Sequence, residues 1–480
     1  MQHRSFVSPK MALVVVLASL PVAFFAGQLG AGAGRGDGGI AGSIGPDVIV
    51  GALSDFGKFG TVGGISAYSI GTTSCNIGDA ELSWIDSGVN DNQHPVIAQN
   101  LFRLKNGRFE QIGQSWLKHG WCAIDGNLCD TCQSDGGCDW LGIGCSDPYV
   151  ASLNGAQGDL GPRSQVNAST GAFPFPFTAP AAPATIGRRL QVLIDDLTPG
   201  LNPASLYFGE GQYIHPQDAA SDNDNNNASY RRVLVGSLSG GSYTLSLTGS
   251  TFQEKPAIYA WKEHGLGVGI PDPNVTIEIV DVVGDGRFLV ASKVSENGDG
   301  TWHYEYAIQN LSSDRSAGSF AVPSAEGSDP ANIGFHDTFS HSGEPYSNTD
   351  WTMAADNGSV TWATQTFAQN ANANALRFGT LYNFRFDAAT PPTSGVATIG
   401  VFKPATAGST ATTANVSVPV PSAAPALPGD LNDDGFVNAA DLSILLGEWG
   451  TDGGSSGADL NGDGSVGGAD LSILLGAWLS

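Results

Sequence analysis

Residues 275–309 read VTIEIVDVVGDGRFLVASKVSENGDGTWHYEYAIQ, and this stretch decides the fold class. Three runs, 275–283, 287–294 and 301–309, are rich in β-branched and aromatic residues, which suit a pleated, half-buried surface. Their joints are Gly284-Asp285-Gly286 and Asn297-Gly298-Asp299-Gly300, residue types that supply tight turns. Side chains alternate along a strand, so Trp302, Tyr304 and Tyr306 share one face while His303 and Glu305 share the other. The segment predicts an antiparallel meander with an aromatic inner face.

Upstream the same signals recur at 190–194, 205–213 and 230–238, the last paired with 242–248 across Gly240-Gly241. Such spacing predicts one or two antiparallel sandwiches in a body spanning 186–403. The segment 171–183, GAFPFPFTAPAAP, reads as extended and polyproline-like and marks a boundary. Before it, 47–53 (DVIVGAL) reads as the first buried strand of a cysteine-rich N-terminal region, 47–185. The predicted class is mainly β: a disulfide-containing N-terminal region, an antiparallel β-sandwich body and a small C-terminal all-α module.

Composition agrees. In 480 residues there are 65 Gly and 26 Pro but only 14% charged residues, which disfavours long polar helices. The length allows two or three domains. With 46 acids against 21 Lys plus Arg the net charge is -25, which argues against nucleic acid or an anionic membrane as the main partner. His3, Arg4 and Lys10 precede an uncharged apolar run, 11–26, the form of a secretory signal peptide. Cleavage after Ala26 or Ala33 leaves a Gly-rich leader at 34–46, within which Arg35-Gly36-Asp37 and Gly34-x-Gly36-x-x-Gly39 read as products of composition. The chain is expected to be exported, extracellular or at the cell surface with the periplasm as an alternative, and to keep no membrane span after cleavage. Six cysteines in an exported chain (Cys75, Cys122, Cys129, Cys132, Cys138, Cys145) read as a disulfide framework. The alternative is a metal site on Cys129-x-x-Cys132 with His119, which lacks a second close pair.

No catalytic signature survives its context. There is no His-Glu-x-x-His and no Walker loop, and Gly453 to Gly457 fits Gly-x-Ser-x-Gly only within a short loop. His94, Trp116, His119, Trp121 and Trp140, with Asp125, Asp130, Asp135, Asp139 and Asp147, would suit a carbohydrate groove; the favoured reading has the tryptophans packing on disulfides and the aspartates holding turns. His336 and His341 form a weak copper or zinc pair without a nameable third ligand. Glu210, Glu278, Glu305 and Glu344 include any glycosidase pair only if space brings two together. Residues 221–227, SDNDNNN, are dense in oxygen but without fixed ligand spacing and read as a solvated loop. The body resembles exported bacterial proteins of unassigned activity.

The strongest motif is C-terminal. After 404–427, read as a Pro/Ala/Thr linker, 430–450 (DLNDDGFVNAADLSILLGEWG) repeats as 459–479 (DLNGDGSVGGADLSILLGAWL), a period of 29 with 15 of 21 positions identical. Each copy is a twelve-residue loop followed by a helix. In the first, Asp430, Asn432 and Asp434 stand at loop positions 1, 3 and 5, Gly435 permits the turn at 6, Phe436 offers its carbonyl at 7, Asn438 stands at 9 and Asp441 at 12. The second has Asp459, Asn461, Asp463, Gly464, Ser465 and Asp470 in the same places, with water expected to replace a side chain at Gly467. Hard oxygen donors in this order specify Ca²⁺, two ions in all. Leu442, Leu445, Leu446 and Trp449, then Leu471, Leu474, Leu475 and Trp478, form helical stripes expected to pack together, and so small a core is expected to fold only with its metal.

These residues resemble a type I dockerin over 428–480. The resemblance implies a calcium-binding module that docks an exported protein to a cohesin-like protein or cell-surface assembly. Asp at position 12 and the lack of a helix before each loop fit. Ala439-Ala440 and Gly468-Ala469 replace the usual Ser/Thr pair, and the segment holds no Lys or Arg. The leading expectation is an exported binding or structural protein. A secreted polysaccharide-acting hydrolase is the alternative, an extracellular copper or redox protein a weak third, and whether the body is an enzyme stays open.

Overall fold

The structure, a computed structural model, describes residues 43–85, 92–134, 136–356, 358–423, 427–432 and 436–478. The expected signal peptide and the leader up to residue 42 lie outside the described residues, as do Asp135, Asp434 and Gly435. The chain is mainly β, 42% strand and 11% helix. No helix among the described residues is long and apolar enough to cross a membrane.

The meander forms as its sequence dictates: Thr276–Val282, Gly286–Glu296 and Trp302–Asn310 pair antiparallel. Gly284 and Gly300 turn the chain with φ of +71° and +90°, a region costly for residues with a Cβ. Leu381–Ala388 and Ala331–His336 complete this five-stranded sheet. Facing it is a second sheet in the order Thr352–Asp356, Ser359–Ala363, Ala317–Pro323, Pro392–Val401, Thr413–Pro421. Between them Tyr304, Tyr306, Phe384 and Phe386 meet Phe320, Trp362, Ile399 and Val418 in one core. The aromatic face of WHYEY is inside, and Glu305 on the opposite face receives Arg108 Nε and Nη2 at 2.8 and 2.9 Å.

The N-terminal half is a different object. An eleven-stranded sheet runs Val48–Val62, Ile65–Asn76, Leu190–Leu193, Arg108–Gln114, Val96–Lys105, Leu206–Ile214, Ala228–Ser239, Ser242–Phe252, with three short strands attached at the side. It coils, as strongly twisted sheets do, until its first strand lies against its last ones. Leu53 N donates to Thr251 Oγ1 at 3.0 Å, Lys58 Nζ to Ser239 O at 2.7 Å and Ser229 Oγ to Val50 O at 2.7 Å. The interior so enclosed holds Val50, Leu53, Ile70, Leu101, Tyr213 and Val233. Over one side lies the cysteine-rich loop, whose three disulfides are Cys75–Cys129, Cys122–Cys138 and Cys132–Cys145. The first ties the loop to strand Ile65–Asn76.

Two expected boundaries need correction. The break at 185/186 does not divide the fold, because strands on both sides of it, such as Arg108–Gln114 and Leu190–Leu193, pair in the same sheet. Local turn signals mark where a chain bends, not which sheet takes the next strand. The sandwich begins at Thr276 rather than 186, and it ends beyond 403. Residues 404–427 were expected to be linker, yet Thr413–Pro421 is a full strand paired with Pro392–Val401. Its Val416, Val418 and Val420 are buried at alternate positions, a period of two that the surrounding Ala, Thr and Pro disguise. The prolines at 419 and 421 are tolerated because this strand is an edge.

In the C-terminal segment the helices are Ala439–Gly447 and Gly468–Gly476. Leu445 and Leu474 are fully buried together with Val437, Ala458 and Val466. The predicted stripes are therefore only partly internal: Leu446 and Leu475 are each 52% exposed and Trp449 is 48% exposed. Consecutive helical residues lie about 100° apart, so a core this small takes Leu445 and Leu474 and leaves their neighbours outside.

Candidate metal centre

The second loop is described throughout, and it folds around Asp459. That carboxylate accepts Gly462 N at 2.9 Å and Asp463 N at 3.1 Å on Oδ1, and Gly464 N at 2.7 Å on Oδ2. Asn461 Oδ1 accepts Asp463 N at 2.8 Å, Asp463 Oδ1 accepts Ser465 N at 3.0 Å, and Asn461 Nδ2 reaches Asp463 Oδ2 at 3.0 Å. Gly462 and Gly464 supply φ of +71° and +88° where the loop turns. The side-chain oxygens of positions 1, 3 and 5 thus sit on consecutive short turns, wrapped by backbone N–H groups.

Position 12 closes each loop. Asp470 Oδ2 accepts Gly467 N at 2.7 Å and Oδ1 accepts Asn461 N at 3.0 Å. Asp441 does the same with Asn438 N at 2.8 Å on Oδ2, and with Leu431 N at 2.8 Å and Asn432 N at 3.3 Å on Oδ1. These amides hold the Asp470 carboxyl below its usual range, and at Asp441 they outweigh burial to the same effect. A carboxylate here serves twice, capping the helix N-terminus and clamping the start of the loop. Asn438 adds its own cap, accepting Ala440 N at 2.8 Å. The two copies are stitched together through Gly450 N to Val466 O at 2.9 Å and Val466 N to Thr451 O at 2.8 Å. All donors in the set are oxygens, hard ligands that suit Ca²⁺ and not a soft transition metal.

Residues 428–476 match the family model of the dockerin type I domain. The match covers about a tenth of the chain, and it supports Ca²⁺ as the ion of this dockerin-like tail and a cohesin-like protein as its partner. No curated protein matches the chain.

Away from the dockerin-like tail, the sequence candidates are drawn into structural roles. His341 places Nδ1 at 2.8 Å from Ser342 O and Nε2 at 2.7 Å from Arg189 O, and burial pushes its pKa down to about 4. Among the described residues no third metal ligand joins His341 and His336. The one cluster of metal-ligand type found among those residues, Asp125, Cys132 and Cys145, contains a disulfide pair and has no thiolate to offer. The four glutamates are scattered. Glu278 is exposed, Glu305 is bound by Arg108, and Glu344 accepts Arg163 N at 2.6 Å. Glu210 is fully buried, accepting Asn100 Nδ2, Gln309 Nε2 and Ala257 N at 2.8, 2.8 and 2.6 Å; burial raises its pKa against these bonds.

The proposed aromatic groove is filled from within. Trp116, His94 and His119 are buried, and His94 Nε2 meets His119 Nδ1 at 2.9 Å amid Phe173 and Phe175. Asp147 holds Trp84 Nε1 at 3.0 Å and Ile124 N at 2.9 Å, with its pKa raised to about 6 by burial. Nor is 221–227 a freely solvated loop: Asn223 Nδ2 donates to Ile44 O and Pro46 O, and Asn227 Nδ2 to the buried Asp218 at 2.7 Å. What the sequence did not reveal is an open groove at the seam of the two halves, bordered by Gln114, Gln191, Phe339 and Asn348. Its residues come from four distant segments, and no local motif links them.

Proposed function

We propose that this is an exported binding or structural protein whose dockerin-like tail, loaded with two Ca²⁺, docks the β body to a cohesin-like partner or a surface assembly. The observation that carries the reading is the pair of matching loops, each closed by one carboxylate on its own helix start. In the first loop Asp430, Asn432, Asp434, the Phe436 carbonyl, Asn438 and Asp441 hold one ion; in the second Asp459, Asn461, Asp463, the Ser465 carbonyl and Asp470 hold the other, with water at position 9. Ca²⁺ supplies the positive charge that lets several carboxylate and amide oxygens crowd one point, and the chain supplies turns that aim them.

The side that meets the partner follows from charge. Residues 428–480 carry nine acids and no base, but the exposed Ser443 and Leu446, flanked by the half-buried Leu442, carry no charge, nor do their repeats Ser472 and Leu475 beside Leu471. Apolar patches free of charge are where association gains most from burial. Calorimetric titration of the full chain tests the ion assignment: about two Ca²⁺ bind, and Asp430→Ala or Asp459→Ala each removes one. Unchanged stoichiometry in both variants would show that the loops are not the sites. Surface-plasmon binding to an immobilised type I cohesin tests the partner, with Leu446→Asp plus Leu475→Asp expected to abolish the response.

A further inference from the structure

At the seam between the coiled sheet and the sandwich lies a groove of about 360 Å³, within the size range of small-molecule sites. Its floor is aliphatic, formed by Ile65, Ile112, Val192 and Leu193. Its outer wall is the segment 336–342, and that wall is fixed. Gln114 Nε2 donates to Phe339 O at 2.9 Å, Ser340 N donates to Asn348 Oδ1 at 2.6 Å, and Gln191 Nε2 donates to Ser342 Oγ at 2.8 Å. His341 anchors the same segment to Arg189 O. A site held this way is formed before any ligand arrives and spends little on ordering itself.

The three amide side chains each use one end in these bonds and keep the other for a ligand. Gln114 and Gln191 bind protein through Nε2, leaving their Oε1 acceptors; Asn348 binds through Oδ1, leaving its two N–H donors. The carboxylates that reach the groove already have donors: Asp196 takes Arg103 Nη1 at 2.8 Å, and Asp337 takes the Asn374 amide. Beside these two carboxylates and His336, whose buried Nε2 has no partner among the described residues, the groove presents amides and hydroxyls. At its rim Phe339 is 61% exposed, although its backbone is pinned. Removing that ring from water would favour binding by a ligand with an apolar face.

We propose that this groove binds a neutral saccharide of one or two rings, the C–H face of a sugar lying on Phe339 and the aliphatic floor, and its hydroxyls pairing with Gln114, Gln191 and Asn348. An anion would meet Asp196 and Asp337, and a wholly apolar ligand would leave the amides without partners, a loss that such sites impose on the wrong ligand. The site lies in the body and does not depend on the calcium reading of the tail.

Saturation-transfer NMR on the full chain tests it, with cellobiose, xylobiose and maltose as neutral probes and glucuronate as the charged comparison. At least one neutral disaccharide should bind and glucuronate should not. Phe339→Ala should weaken binding about tenfold and Phe339→Trp should retain it. Asn348→Asp keeps the acceptor for Ser340 N but removes the donors, and should weaken binding severalfold. Binding should be the same with Ca²⁺ or with chelator, which separates this site from the tail. No binding of any neutral disaccharide at millimolar concentration, or equal binding by wild type and Phe339→Ala, would overturn the proposal.

Discussion

The body and the tail both bury carboxylates, but they satisfy them differently. In the body the donors can come from distant parts of the chain: Glu210 is held by Asn100, Ala257 and Gln309, and Glu305 by Arg108 from the other half of the molecule. In the tail Asp441 and Asp470 rely on amides within ten residues, and the segment carries nine acids with no Lys or Arg. The body's acids are part of its packing, whereas the tail's acids have no basic partner within their own segment. Core size points the same way, since the tail's fully enclosed core is Val437, Leu445, Ala458, Val466 and Leu474. A core that small is expected to fold only with its ion.

The largest expected effect is in the tail. Asp441→Ala with Asp470→Ala removes both the loop closures and the helix caps, and should abolish calcium-coupled folding of 428–480 while leaving the body's unfolding transition in place. Circular dichroism of the full chain with and without Ca²⁺ reads this out; a surviving calcium-dependent signal would erase the contrast between the regions. In the body, Glu210→Leu strands three buried donors and should lower stability by about 3 kcal/mol in urea titrations. Breaking Cys75–Cys129 by paired serine substitution frees the loop that it pins to the sheet, for a loss of about 2–4 kcal/mol, with the tail's calcium response unchanged.

The smallest effect is a pH slope. His215 and His341 have pKa values pushed down to about 4 by burial, and His119 to about 2. Each contributes stability that is fully present above the unfolded value near 6.5 and is lost as pH falls toward the folded value. Asp147 and Asp224, raised to about 6 by burial, act in the opposite sense, because the native state holds their protons between about pH 6 and 4. Among these five groups the histidines outweigh the aspartates by about 4 kcal/mol between pH 6.5 and 4, read as a contribution to a falling urea midpoint. His341→Gln should flatten the slope.

Legibility in the sequence followed the range of the interactions. The meander of 276–310, the Gly240-Gly241 hairpin and the helix after each duplicated loop are local patterns, and each appears where its residues predict. The disulfide framework was readable from six cysteines in an expected exported chain, but its pairing depends on where the loop folds back. The error at 186 came from a property no local pattern carries, the pairing of Leu190–Leu193 with strands near residues 65 and 113. The strand at 413–421 was hidden by composition, since Ala, Thr and Pro resemble a linker unless the alternating valines are counted. The seam groove depended on four segments meeting, and neither spacing nor charge announced it.

The central claim is that the tail owes its fold to calcium and the body does not. Scanning calorimetry of the full chain in Ca²⁺ and then in EGTA tests this most directly. Two transitions are expected in Ca²⁺, with the smaller one lost in EGTA and the larger one, that of the body, essentially unmoved. A thermogram identical in both conditions would contradict the account.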